Sequence, residues 1–143
     1  MIAVDTNILV YAHRAETAWY AEASARIREL AESGRQWAIP WPCIHEFLGV
    51  VTHARVFDPP TPIEVAAAQV DIWRESPGLV LLSERGGYWS ALRRLLSDGG
   101  IAGPRIHDAR IAALCRSHGV RELWTVDRDF SRFPALVTRN PLA

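Results

Sequence analysis

Four carboxylates in this chain have the residue type and the placement for hard-metal chemistry: Asp5, Glu46, Asp108 and Asp127. Each stands where a strand or helix is expected to begin or end, inside otherwise apolar sequence. Asp5 closes the run Met1-Ile2-Ala3-Val4, and Glu46 lies within Ile44-His45-Glu46-Phe47-Leu48-Gly49-Val50-Val51. Asp108 opens Asp108-Ala109-Arg110-Ile111-Ala112-Ala113-Leu114, and Asp127 follows Leu123-Trp124-Thr125-Val126. An ionised carboxylate resists leaving water, so several of them beside buried surface are costly unless a cation neutralises them. Mg²⁺ and similar hard cations select oxygen ligands. Singly, each acid has a structural explanation. Asp5 can cap a helix, Asp108 can complement a helix dipole, and Asp127 can make an Asx turn in Val126-Asp127-Arg128-Asp129-Phe130. Glu46 is harder to explain away, because neither Pro42 at i−4 nor Val50 at i+4 offers it a base. One shared cation accounts for all four more economically than four separate reasons.

The elements that must position these acids follow from apolar periodicity and turn chemistry. Ile2 to Val4 reads as a buried strand running into a helix at Asp5-Thr6-Asn7. A helix is predicted over Ala18 to Ser33 with Gly34 past its end, then a strand over Gln36 to Ile39. Pro42 suits the first turn of a helix reaching about His53, with Ile44, Phe47, Leu48 and Val51 on its buried face. Asp58-Pro59-Pro60-Thr61-Pro62 is a rigid loop. Thr61 and Glu64 form a capping-box pattern for a helix to about Glu75. A strand at Leu79 to Leu82 and a helix through Trp89 to Leu96 come next. The Gly99-Gly100 and Gly103-Pro104 loop leads to the Asp108 helix, which ends at His118-Gly119. Strands at Leu123 to Val126 and Ala135 to Thr138 complete the order. Strands separated by helices predict an α/β domain with a parallel sheet of about five strands, covered on both faces. In such sheets the ligand crevice lies beyond the carboxyl ends of the strands, where Asp5 and Asp127 both fall.

Composition narrows the chemistry. With 143 residues and 49% hydrophobic content, the chain is expected to form one domain over residues 1–143. No apolar run is long enough for a bilayer and no signal-type leader is recognised, so a cytoplasmic protein is expected. Cys43 and Cys115 match no metal or redox spacing and read as reduced, buried thiols. The net charge of zero argues against coating nucleic acid by bulk electrostatics. All sixteen bases are Arg and none is Lys, which excludes Schiff-base and P-loop mechanisms. Arginine also suits phosphate through its planar fork of donors, although GC-rich coding explains the missing lysine equally well. His45 and His107 each precede a key acid and read as neighbours of a site rather than ligands. Trp19, Trp41 and Trp89 are candidates for stacking on unpaired bases, against packing as the more common role of Trp.

The pattern resembles the PIN-domain nucleases, most closely the VapC-type toxins of bacterial toxin–antitoxin pairs. The matching pieces are Asp5-Thr6-Asn7 after the first strand, His45-Glu46-Phe47, Asp108-Ala109-Arg110-Ile111-Ala112-Ala113, and Thr125-Val126-Asp127-Arg128-Asp129-Phe130. Val50-Val51-Thr52-His53, Arg132-Phe133-Pro134 and Asn140-Pro141-Leu142 extend the likeness over nearly the whole chain. The resemblance implies a PIN-like three-layer fold and a Mg²⁺- or Mn²⁺-dependent endoribonuclease. Asp5 and Asp108 would be the principal ligands, with Glu46 and Asp127 completing the shell. Asn7 and Thr125 would orient ligands or water, and Asp129 is one carboxylate beyond the core set. A VapB-like antitoxin and a homodimer are further implications. Arg14, Arg110 and Arg128 are candidates for gripping the RNA.

Rival classes fit less well. A phosphoacceptor receiver needs a lysine that is absent, and a dinucleotide enzyme needs a Gly-rich turn where Asp5-Thr6-Asn7 stands. A non-catalytic PIN module that binds RNA or protein is the remaining alternative, and four retained acids argue against it. A structure-specific DNA nuclease would need gripping segments that so short a chain lacks.

Overall fold

A computed structural model describes residues 1–143. Five strands form one sheet: β1 (Ile2–Val4), β2 (Trp37–Pro40), β3 (Leu79–Leu82), β4 (Glu122–Trp124) and β5 (Val137–Arg139), in the spatial order β3-β2-β1-β4-β5. Every pairing is parallel, with Ile2 opposite both Trp37 and Glu122. β2 is buried along its whole length, as a parallel strand covered on both faces must be, whereas β5 is an exposed edge. The helices are α1 (Thr6–His13), α2 (Tyr20–Glu32), α3 (Trp41–Val51), α4 (Ile63–Arg74), α5 (Tyr88–Gly99) and α6 (Ile106–Ser117). α1 packs on α2 and α3, α3 on α4, and α5 on α6. Right-handed crossovers in this strand order put α1 to α4 on one face and α5 with α6 on the other. The three-layer α/β architecture expected from the sequence is therefore present.

The strand order has a functional consequence. From β1 the chain proceeds outward to β2 and β3, then returns to add β4 and β5 on the other side. The direction reverses between β1 and β4, and a crevice opens beyond their carboxyl ends at that reversal.

Several boundaries differ from the sequence expectation. α2 starts at Tyr20 rather than Ala18, because a turn closed by Tyr20 N–H on Thr17 O (3.2 Å) occupies the preceding residues. The Thr61–Glu64 capping box does not form. Thr61 Oγ1 faces His13 Nε2 (3.1 Å) and Arg14 (3.0 Å) instead, and α4 starts after Pro62 without a side-chain cap. Leu48 is only half-buried, while Ile44, Phe47 and Val51 are core as expected. α6 begins two residues ahead of Asp108, since a 3₁₀ turn at Gly103–Arg105 runs straight into it. β4 ends at Trp124, and β5 covers Val137–Arg139 rather than Ala135 to Thr138.

Candidate active site

Asp5 is held by three donors at the floor of the crevice. It follows β1 and caps α1, with Oδ1 accepting from Thr6 N–H at 2.8 Å. Oδ1 also receives the Cys43 thiol at 3.5 Å, and Oδ2 receives the Thr125 hydroxyl at 2.7 Å. The Asp5 N–H pairs with Trp124 O at 2.9 Å, so its backbone extends the β1–β4 ladder. The side chain is 5% exposed. Burial raises its carboxyl above the ordinary range, and the hydrogen bonds from Thr125, Thr6 and Cys43 pull the other way. A carboxylate held by donors on both oxygens has its orientation chosen for it.

The remaining acids come from three other elements. Glu46 is exposed on α3, one helical turn after the buried Cys43, and accepts from Thr6 Oγ1 at 3.2 Å. Asp108 lies in the first turn of α6 and is half-buried. Its carboxyl is pushed up to about 6, first by burial, then by the charges of Asp127, Asp129, Asp5 and Glu46. Asp127 caps a short 3₁₀ turn (Arg128–Arg132) through Asp129 N–H at 2.8 Å, and its own N–H donates to Thr125 Oγ1 at 3.0 Å. The capping and Asx-turn explanations for Asp5 and Asp127 thus hold together with a shared cleft: one residue does both. Asn7 Oδ1 accepts from Val126 N–H at 3.4 Å, tying α1 to the segment after β4.

A cleft of about 710 Å³ has Asp5, Asn7, Glu46, Asp108 and Asp127 in its lining. None of the protein's four ion pairs involves these acids or Asp129. Carboxylate oxygens of Asp108, Asp127 and Asp129 lie within 4.8 Å of one another. The closest convergence therefore includes Asp129, with Asp5 and Glu46 set outside that trio. An all-oxygen, uncompensated donor set of this kind suits a hard divalent cation.

The arginines separate. Arg110 lines the cleft, and Arg128 is exposed at the start of the 3₁₀ turn, outside the lining. Arg14 is elsewhere, and the expectation that it faces the catalytic edge is corrected. Its guanidinium donates to Pro59 O (2.9 Å) and Thr61 Oγ1 (3.0 Å), pairs with Glu16, and lies 4.4 Å from the centre of the Phe57 ring. It holds the loop before α4 against the end of α1. Sequence reasoning missed Thr6 and Cys43 as partners of Glu46 and Asp5. The signal for Cys43 was its place one helical turn before Glu46, which puts the two side by side on α3.

Acids at the carboxyl ends of β1 and β4, joined by acids from α3 and α6, define a class. The chain belongs to the PIN domain family, whose pattern its residues 2–136 match. Within that family the relatives it resembles include VapC proteins. It is 36% identical to ribonuclease VapC43 of Mycobacterium tuberculosis over 142 residues, covering 99% of this chain and 96% of that one. Ribonuclease VapC48 of the same organism is 30% identical over 140 residues, covering 97% and 96%. Among solved structures, VapBC2 from Rickettsia felis bound to a promoter DNA fragment superposes with a TM-score of 0.66 at 24% identity, covering 97% of this chain and 98% of that one. The recognition made from the four motifs is thereby established.

Proposed function

We propose that the chain, acting as a single PIN domain over residues 1–143, is a metal-dependent endoribonuclease and the toxin of a two-component toxin–antitoxin pair. The observation that carries the reading is the cluster of acids without a counter-cation in a chain 36% identical over nearly its full length to VapC ribonucleases. Asp108, Asp127 and Asp129 converge most closely, and Asp5 and Glu46 complete the acidic floor. Bound Mg²⁺ or Mn²⁺ would neutralise charge developing on a scissile phosphate and make water a usable nucleophile near neutral pH.

The protein's own residues do the rest. Thr125, Thr6 and Cys43 lock Asp5 in one rotamer, so its free lone pairs point in a fixed direction. Thr6 donates to one oxygen of Glu46, and Asn7 accepts from the Val126 backbone beside Asp127. Arg110 supplies positive charge on the α6 side for phosphate. No histidine, serine or cysteine nucleophile is required. The partners are RNA as substrate, a VapB-like antitoxin whose arginine can pair with these carboxylates, and a second copy of the chain. A cytoplasmic place of action goes with RNA as the substrate. No helix is long and apolar enough to cross a membrane.

The test is direct. Purified protein should cut RNA with Mn²⁺ or Mg²⁺ and stop in chelator, and Asp5→Asn and Asp108→Asn should stop it while retaining the wild-type circular dichroism spectrum. RNA bound but never cut by the wild type would move the assignment to a non-catalytic PIN module.

A further inference from the structure

The two walls of the acidic cleft differ in kind. The α6 wall carries His107 and Arg110 beside Asp108, and the α3 wall carries Pro42 and His45 beside Glu46. Phosphate chemistry accounts for the acids and for Arg110, but nothing in it uses His45. The imidazole of His45 is exposed, and its ring sits against the indole of Trp41, with centroids 5.9 Å apart and planes inclined by 31°. Their i, i+4 spacing puts both on one side of α3. Trp41 is half-buried against the hydrophobic core and does not itself line the cleft. Of the two rings, the indole meets the core and only the imidazole lines the cleft. A flat ring is braced on one side by a larger one, on a helix, one residue from an acid of the site.

We propose that His45, backed by Trp41, is the platform on which a nucleobase next to the scissile phosphate stacks. The inference rests on the ribonuclease reading above and names a substrate-positioning residue of that same cleft. Base faces are available for such stacking only where RNA is single-stranded or looped out. Every base has a π-face, so the platform contributes grip and a demand for unpaired sequence, with little choice among bases. Phosphates on the α6 wall and a base on the α3 wall set the strand's direction across the acids.

The experiment measures binding in the Asp108→Asn protein with Mg²⁺, using a fluorescein-labelled single-stranded oligoadenylate, the same strand annealed to oligouridylate, and inorganic polyphosphate as a base-free competitor. His45→Ala should weaken single-strand binding by about 5- to 150-fold, the range for loss of one base stack. It should leave the affinity for polyphosphate and the salt slope unchanged. His45→Phe should restore binding, and Trp41→Ala should weaken it in part. The duplex should bind the parent protein worse than the single strand. The stacking role is overturned if His45→Ala binds oligoadenylate like its parent, if polyphosphate affinity falls equally, or if His45→Phe is as weak as His45→Ala. If the parent protein binds no RNA and the wild type cuts none, the ribonuclease reading itself fails, and the platform with it.

Discussion

Replacing Asp108 by Asn should stabilise the metal-free protein at neutral pH, because it removes a charge that partial burial and then the neighbouring carboxylates both penalise. The carboxyl of Asp108 titrates at about 6 rather than at its ordinary 3.8. Taken whole, that rise would represent about 3 kcal/mol, but the side chain is half-exposed and water screens it, leaving about 1 kcal/mol. The sign follows from linkage. A carboxyl raised in the folded state favours folding below its unfolded value, and that contribution is lost as pH climbs through its folded value. Wild type should therefore lose stability between about pH 4 and pH 7 from this group, and the Asn variant should not. For 143 residues the unfolding entropy is near 0.3 kcal/mol per kelvin, so about 1 kcal/mol moves the melting temperature by roughly 3 °C. The assay is thermal melting by circular dichroism in chelator across that pH range. The variant should match wild type at the acid end and melt higher at the neutral end. A difference that does not change with pH, or a variant less stable at neutral pH, would refute the electrostatic account of the cleft.

Other outcomes follow from the same geometry. Millimolar Mn²⁺ or Mg²⁺ should raise the wild-type melting temperature by binding only the folded state; melts that ignore the metal would remove the shared site. Thr125→Val takes away the 2.7 Å donor to Asp5 and the acceptor of Asp127 N–H, and should weaken Mn²⁺ binding in calorimetry by about 10- to 100-fold. Arg110→Ala should flatten the salt dependence of RNA binding by a slope of about one. Arg14→Ala should leave that slope alone and cost about 1–2 kcal/mol of stability instead, through the lost ring contact and the loosened Thr61 loop, measurable by urea unfolding.

The parts of the molecule readable beforehand were those governed by local pattern. Alternating strands and helices led to the parallel sheet, and acids placed directly after strands led to its carboxyl edge. What escaped notice depended on pairs distant in sequence. Thr61 followed by Glu64 satisfies the local rule for a capping box, yet His13 and Arg14, more than forty residues earlier, claim the threonine hydroxyl. Arg14 looked like a phosphate ligand because it follows the helix that Asp5 begins. α1 is long enough to carry it to the far end, where Phe57 and Pro59 receive it. Asp129 seemed surplus until the 3₁₀ turn capped by Asp127 brought its carboxylate alongside Asp127 and Asp108.

The bond from Thr125 to Asp5 spans 120 positions of sequence, and its consequence concerns the order of synthesis. β1 leaves the ribosome before the other strands but occupies the middle of the sheet, with β4 as one of its two neighbours. Until the segment through Asp129 has emerged, β1 has an open edge, Asp5 lacks its bonds to Thr125 and Trp124, and two of the converging acids do not yet exist as part of a fold. Closing so distant a pair is among the slow steps of folding. A nascent or prematurely ended chain that stops short of Asp127 thus carries several of the acids and no site, and the cleft comes into being only once the segment through Asp129 has joined the sheet.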